Sequence, residues 1–258
     1  MPKTISTAAV VGQKQLSATV KLIEVIAPEI AAQAVPGQFV NVRVTRHTAP
    51  LLRRPFGVAG TDKERGTFTM IYRVLGEGTQ LLADVCSGDE LSIVGPLGNG
   101  FDMTAVGGKT PLLVGGGLGL APLLYLAQGF GAGRCDVLMG GRNAGELFWT
   151  DMYEQLCRDI YLTTDDGSAG VKGTVMALLP KLLAQGGYGC VYVCGPVPMM
   201  KAVAGACQEA GVPCQVSLEK YMACGLGACL SCACEGVGRR LKICKDGPVF
   251  WAGEVGEW

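Results

Sequence analysis

Cys224, Cys229, Cys232 and Cys244 lie within the stretch CGLGACLSCACEGVGRRLKIC, close to the carboxy-terminal end of the 258 residues. The first three are spaced C-x4-C-x2-C, and the fourth follows after an eleven-residue gap. Thiolates bind soft metals, and this is the plant-type spacing for a [2Fe–2S] cluster with a distant last ligand. Small residues between them (Gly225, Gly227, Ala228, Ser231) let the backbone wrap a cluster and aim N–H groups at its sulfurs, which helps to set a reduction potential. Cys234 is surplus, and its ligation in place of Cys232 is an alternative, although C-x2-C is the better-attested arc. A four-cysteine zinc site is the competing chemistry, but it usually takes two C-x2-C pairs and only one is present. A thioredoxin-like use of Cys229 and Cys232 is weaker, since the pair does not open a helix after a strand. The single histidine, His47, excludes a Rieske centre, which needs two, and has no assigned role. A two-iron cluster carries one electron, so the rest of the chain must supply a donor or an acceptor.

Two stretches have the chemistry of nucleotide binding. In LLRRPFGVAG, Arg54 stands directly before Pro55, where a guanidinium can pair with a pyrophosphate bidentately. Further on, in IYRVLGEGTQLL, Gly76, Gly78 and Thr79 suit a turn that opens a helix and meets phosphate with N–H groups and a hydroxyl. The alternative for each is an ordinary surface arginine or turn. The second stretch is LLVGGGLGLAPLLYLA, where Gly115, Gly116 and Gly117 follow a buried strand and Pro122 stands near a helix start. The third place of a G-x-G-x-x-G pattern is Leu120, so this is a phosphate-tolerant loop rather than a standard Rossmann fingerprint. Cys194-Gly195-Pro196 ends a later strand and can face the same crevice; the alternative for Cys194 is a buried small residue. Asp165 and Asp166 precede Gly167 and read as turn carboxylates. Arg142 suits either a 2′-phosphate or a solvated loop, which leaves NAD versus NADP open.

These residues need two kinds of scaffold. Up to about residue 100, SATVKLIEV, QFVNVRV, FGVAG, FTMIYRVL and DELSIVG are short strands separated by turns such as APE, VPG and TDKERG, the pattern of an antiparallel barrel. From about 108 strands alternate with helices: TPLLVGGG, CDVLMGGR, IYLTTDD, GCVYVCGP and PCQVSLE as strands; APLLYLAQGF, AGELFWTDMYEQLCRD, VMALLPKLLAQ and VPMMKAVAGACQEAG as helices. That rhythm predicts a doubly wound parallel sheet with ligands at the strands' carboxyl ends. The tail from about 219 has too little apolar periodicity to hold a core, so metal must fix it. The expected organisation is a barrel over 1–102, an α/β domain over 103–217 and a small cluster subdomain over 218–258.

Composition narrows the function classes. Net charge is zero, which argues against a polyanion partner such as nucleic acid. The 39 glycines point to tight turns and close backbone approach to ligands. No apolar signal segment opens the chain, and the uncharged run 110–133 is broken by glycines and Pro122, so neither secretion nor a membrane span is expected. A cytoplasmic setting keeps twelve cysteines from being six disulfides.

RPFG with GEGT, then GGGLGLAPL and CGP, resembles the ferredoxin–NADP reductase superfamily. LEKYMACGLGACLSC followed by KICKDGPVFWAGEV, with PGQFVNVRV and TDDGSAGVKGTV, resembles within it the electron-transfer subunits of class B (NAD-dependent) dihydroorotate dehydrogenases. The likeness runs over nearly the whole chain. It implies FAD in the barrel, held by Arg54, Pro55, Phe56 and Gly57, by Ile71, Tyr72 and Arg73, and by Gly78 and Thr79. The superfamily's serine at the end of the first motif is Gly57 here, which offers only backbone. It implies cluster ligands at Cys224, Cys229, Cys232 and Cys244, and NAD in the second domain. It implies an FMN-bearing catalytic subunit as partner, two of each in a heterotetramer, oxidising dihydroorotate in pyrimidine biosynthesis. The small subunit of NADH-dependent ferredoxin:NADP oxidoreductases, related to sulfide dehydrogenases, is similar in layout; CKDGPVF favours the dihydroorotate version. A non-catalytic redox-sensing or metal-binding module is the reading from another class.

Overall fold

In the computed structural model, residues 4–256 are described. They fall into two compact units: one of residues 4–100, 219–234 and 241–248, the other of residues 101–218, 235–240 and 249–256.

The first unit is built on a closed six-stranded antiparallel barrel of β1 (Thr4–Gln15), β2 (Val20–Ile26), β3 (Phe39–Arg43), β4 (Arg54–Asp62), β5 (Thr67–Arg73) and β6 (Glu90–Leu97), joined in the order β1-β2-β5-β4-β3-β6. Closure removes the unpaired edges that an open sheet would expose. Ile23, Val25, Val40, Val42, Val58, Phe68, Met70 and Ile93 are fully buried in it. One helix was expected only as a turn, α1 (Pro28–Gln33), which follows Ala27; α2 (Glu77–Ala83) follows Gly76, the turn that the sequence reading had opening a helix. The APE turn of the sequence reading is the start of α1. Pro28 sits in its first turn, where a missing N–H costs nothing, and Ile30 and Ala31 bury against the barrel. β1 was also missed as a strand.

The second unit carries β7 (Thr110–Gly116), β8 (Cys135–Gly141), β9 (Cys157–Thr164), β10 (Val171–Lys172), β11 (Tyr188–Cys194) and β12 (Cys214–Ser217). They pair in parallel in the order β10-β9-β8-β7-β11-β12, and the strand Val249–Trp251 adds antiparallel beside β12. β7 and β11 are buried almost throughout, as parallel strands covered on both faces must be. The covering helices include α3 (Leu120–Phe130), α4 (Thr150–Tyr153), α5 (Leu179–Gln185) and α6 (Val197–Glu209).

One expected helix is corrected. AGELFWTDMYEQLCRD is not a single amphipathic helix: it forms a 3-10 turn (Ala144–Glu146), the one-turn α4, and then enters β9 at Cys157. Trp149 and Tyr153 are fully buried anchors, and the Tyr153 hydroxyl donates to the Leu120 carbonyl at 2.6 Å. Tertiary packing there outweighs helical periodicity, and strand pairing of Cys157 with Cys135 takes the last residues. At the amino ends of the strands, buried Asp136 on β8 accepts from Arg158 on β9 at 2.6 Å and from the Tyr188 hydroxyl on β11 at 2.9 Å. Among the described residues no helix is long and apolar enough to cross a membrane.

Candidate redox site

The thiol-rich loop belongs to the first unit. Cys224, Cys229, Cys232 and Cys244 all fall on the segments 219–234 and 241–248 of that unit. Cys232 and Cys244 are buried, whereas Cys229 is exposed. The loop turns its N–H groups toward sulfur: Leu226 donates to Cys224 Sγ at 3.3 Å, and Cys244 donates to Cys232 Sγ at 3.5 Å. It does so through left-handed turns at Gly225 (φ 69°) and Gly227 (φ 86°) and at Leu230 (φ 61°), the only non-glycine residue with positive φ among those described. The Ser231 hydroxyl, 3.2 Å from Cys229 Sγ, is the main cause that draws the Cys229 thiol down to about 6, with Cys224 adding to it. Burial, then Cys232, pushes the Cys244 thiol up to about 12. Cys234 is half-buried on the short strand Ala233–Glu235.

This arrangement has a chemical reading. Among the described residues, no three Cys, His, Asp or Glu side chains converge as a single metal ion demands. A zinc ion needs four ligands on one shell about 2.3 Å in radius. Four cysteine thiolates are the usual ligand set of a [2Fe–2S] cluster. The loop's donor set and its sulfur-directed N–H groups fit a [2Fe–2S] centre.

The arginine and glycine motifs of the barrel also come together. Arg54 opens β4, and Gly78 is the second residue of α2. A β-carbon on Gly78 would lie 2.7 Å from Arg54 Nε, so only glycine lets the guanidinium lie there. Arg73 closes β5, and its Nε is buried without a hydrogen-bond partner. A guanidinium laid over a helix start and a second one with an orphaned donor fit an anionic ligand such as a pyrophosphate. The Thr79 hydroxyl is engaged within its own turn, accepting from Leu75 and Gly76 at 2.9 and 3.1 Å. Phe56 and Tyr72 stand with ring centroids 5.6 Å apart, and the Tyr72 hydroxyl donates to Gln13 at 2.6 Å. Pro55 and Gly57 are half-buried, and Ile71 is buried. The neighbouring arginine differs: Arg53 is tied to the Ser92 carbonyl and hydroxyl at 2.5 and 2.9 Å and straps β3 to β6. Arg54 is held differently: its Nη1 donates to the nearby Leu52 carbonyl while the guanidinium lies against Gly78.

In the second unit the two glycine loops meet. Gly115 of β7 is the register partner of Cys194 of β11, and the sheet reverses its order on either side of β7. Such a switch point is where open α/β sheets bind ligands. Gly117 takes φ +56°, and a β-carbon on Gly119 would lie 2.1 Å from the Cys194 carbonyl oxygen. A β-carbon on Gly195 would lie 3.1 Å from both N and O of Gly116, and one on Gly116 3.3 Å from Pro196. The Cys194 side chain is buried, its thiol directed at the Ser217 carbonyl at 3.7 Å, so only its backbone borders the loop. Arg142 is exposed and ion-paired with Glu146. Asp166 accepts from the Ser168 N–H and hydroxyl within its turn.

A closed antiparallel barrel, a parallel sheet with a glycine-lined switch point and a four-thiol loop define a flavin- and iron–sulfur-dependent reductase of the ferredoxin reductase type. Residues 7–101 match the family described as oxidoreductase FAD-binding domain, and residues 219–256 match the iron-sulfur cluster binding domain of dihydroorotate dehydrogenase B. Two curated relatives carry the name dihydroorotate dehydrogenase B (NAD(+)), electron transfer subunit. That of Desulforamulus reducens is 39% identical over 90% of this chain and 91% of its own, and that of Caldanaerobacter subterraneus subsp. tengcongensis is 44% identical over 85% and 86%. A solved structure of an NADH-dependent reduced ferredoxin-NADP oxidoreductase aligns with TM-score 0.86 and 32% identity over 98% of this chain and 90% of that one. A ferredoxin NADP+ reductase from Neisseria gonorrhoeae shares the fold at TM-score 0.64 and 17% identity, over 80% and 92%. The chain belongs to the family of electron transfer subunits of dihydroorotate dehydrogenase B.

Proposed function

We propose that this chain carries electrons between a catalytic subunit that oxidises dihydroorotate and NAD+, in pyrimidine biosynthesis. The FAD exchanges a hydride with nicotinamide and also takes single electrons, and the [2Fe–2S] centre handles electrons singly. The observation that carries the reading is that one compact unit holds both the four-thiol loop and the Arg54–Gly78 cradle. Cys224, Cys229, Cys232 and Cys244 would hold the cluster. Arg54 and Arg73 clasp the flavin's pyrophosphate, with Gly78 and Thr79 shaping the turn beneath it. Pro55, Phe56, Gly57, Ile71 and Tyr72 line the rest of the flavin site. Gly115, Gly116, Gly117, Gly195, Pro196 and the Cys194 backbone receive NAD, with Cys194 Sγ serving packing. Hydride transfer needs no acid or base from the protein, only placement of the reacting atoms about 3–3.5 Å apart.

The partner is an FMN-bearing subunit, assembled two with two, in the cytoplasm. Around exposed Cys229 the loop displays Tyr221, Leu226 and Leu230, exposed by 95%, 43% and 55%. Large apolar side chains presented beside a thiol ligand suit a docking face that excludes water from the electron's path. The test is anaerobic purification with and without the partner, followed by iron, sulfide and flavin analysis. Flavin bands with an iron–sulfur shoulder support the reading, whereas a colourless zinc protein supports a metal-binding module and sinks it. Cys224→Ser should abolish electron transfer to the partner and keep FAD bound. Loss of FAD with the cluster would mean that the thiol segment holds the flavin site together, and would overturn the separation of the two roles.

A further inference from the structure

Asn41 lies in the middle of β3, between Val40 and Val42, which fill the barrel. Strand alternation turns its side chain to the opposite face, and there it is completely buried. What covers it is the thiol loop. Asn41 Nδ2 donates to the Cys224 carbonyl at 3.4 Å, and a β-carbon on Gly225 would lie 2.6 Å from that same nitrogen. The Asn41 Oδ1 is buried and has no partner. On the other side Asn41 is the register partner of Pro55, so it borders the Arg54–Gly57 motif. Its backbone carbonyl accepts from Arg53 at 3.4 Å, which helps to hold it in place.

An apolar side chain of the same volume would fill this space without stranding an oxygen. The amide is therefore doing something that packing does not require. A trans peptide points its C=O and N–H in opposite directions, so a donor that anchors the Cys224 carbonyl also aims the Gly225 N–H away from Asn41. The next N–H in the loop, from Leu226, meets Cys224 Sγ. We propose that Asn41 is a positioning residue for the iron–sulfur centre: it fixes the peptide plane after Cys224 and thereby the N–H groups that face that sulfur. N–H donors to the sulfurs favour the reduced, more negative cluster, so Asn41 holds the potential up. The inference rests on the ligand set given under Proposed function.

The experiment is a redox titration followed by electron paramagnetic resonance on the holoprotein, with iron and FAD measured first. Asn41→Leu keeps the volume and removes the amide; Asn41→Ser keeps a short donor. Asn41→Leu should shift the one-electron equilibrium against reduction by about tenfold, about 59 mV, and alter the g-values. Asn41→Ser should stay within about threefold of the unmodified protein by the same measure. Loss of iron from Asn41→Leu alone, with FAD retained, also supports positioning. A normal potential and spectrum in Asn41→Leu overturn the proposal, as does an equal shift or equal iron loss in both variants. An unmodified protein without an iron–sulfur signal refutes instead the ligand set on which the proposal stands.

Discussion

Gly119→Ala separates the nucleotide loops without touching the barrel. Gly119 has φ −59° and ψ −17°, so alanine meets no backbone strain there and gains at most about 1 kcal/mol of helix propensity at the head of α3. The obstacle is steric. The added carbon would stand 2.1 Å from the Cys194 oxygen, 2.4 Å from its carbonyl carbon and 2.6 Å from the Gly195 nitrogen, all backbone atoms. Restoring even 3.0 Å to that oxygen requires the two loops to part by 0.9 Å. Overpacking of this kind costs about 1–3 kcal/mol, which the propensity gain only partly offsets. The larger effect is on the ligand, because a misplacement of about 1 Å can cost about a hundredfold in rate. The assay is anaerobic stopped-flow reduction of bound FAD by NADH. FAD and iron content should stay normal, since both sites lie in the other unit, while kcat/KM for NADH falls about a hundredfold. A folded variant with an unchanged kcat/KM would refute the assignment of Gly115–Gly117 and Cys194–Pro196 to NAD. Gly205→Ala is the control: it lies exposed within α6 with nothing within 4 Å of the added carbon, and should stabilise by about 0.5–1 kcal/mol with no kinetic effect.

Arg54→Ala should weaken FAD binding about 10- to 100-fold, the loss of charge-assisted hydrogen bonds worth about 1.5–3 kcal/mol, read by equilibrium dialysis. Arg53→Ala should lower the melting temperature instead and leave FAD affinity within about threefold, because its guanidinium is spent on Ser92 and the Asn41 carbonyl. Tyr221→Ala should weaken association with the catalytic subunit by about 2 kcal/mol, roughly 30-fold, in a sedimentation or titration measurement, with the spectrum of the isolated chain unchanged.

The parts legible in the sequence were those with short-range signals. Alternation in FTMIYRVL and DELSIVG gave the barrel strands, the buried run PLLVGG gave β7, and C-x4-C-x2-C gave the thiol loop. β1 escaped because TISTAAVVGQKQ is rich in small and polar residues, and α1 because a six-residue helix reads as a turn. The helix expected over 144–159 failed where Trp149 and Tyr153 anchor the segment and Cys157 pairs with Cys135. Contacts across long sequence intervals left no local trace. Nothing near residue 54 says that Arg54 will lie against Gly78, and nothing near 41 says that an asparagine in QFVNVRV will be covered by residues 224 and 225. Those two contacts do most to define the redox unit.

That unit is discontinuous for a physical reason. A thiol loop with little apolar surface cannot hold a fixed geometry by itself, and a relay of single electrons depends on a fixed geometry. Residues 219–234 and 241–248 solve this by folding with the barrel: the Asn99 backbone N–H donates to the Gly247 carbonyl at 2.6 Å, and its side chain donates to the Asp246 carbonyl at 2.9 Å. A β-carbon on Gly98 would stand 2.5 Å from Pro248 Cδ, so the end of β6 and the end of the thiol segment are matched to within the width of one methyl group. Spacing between the thiol loop and the Arg54–Gly57 segment is then set by barrel strands, through Asn41 and Pro55, and not by the flexibility of a terminal tail.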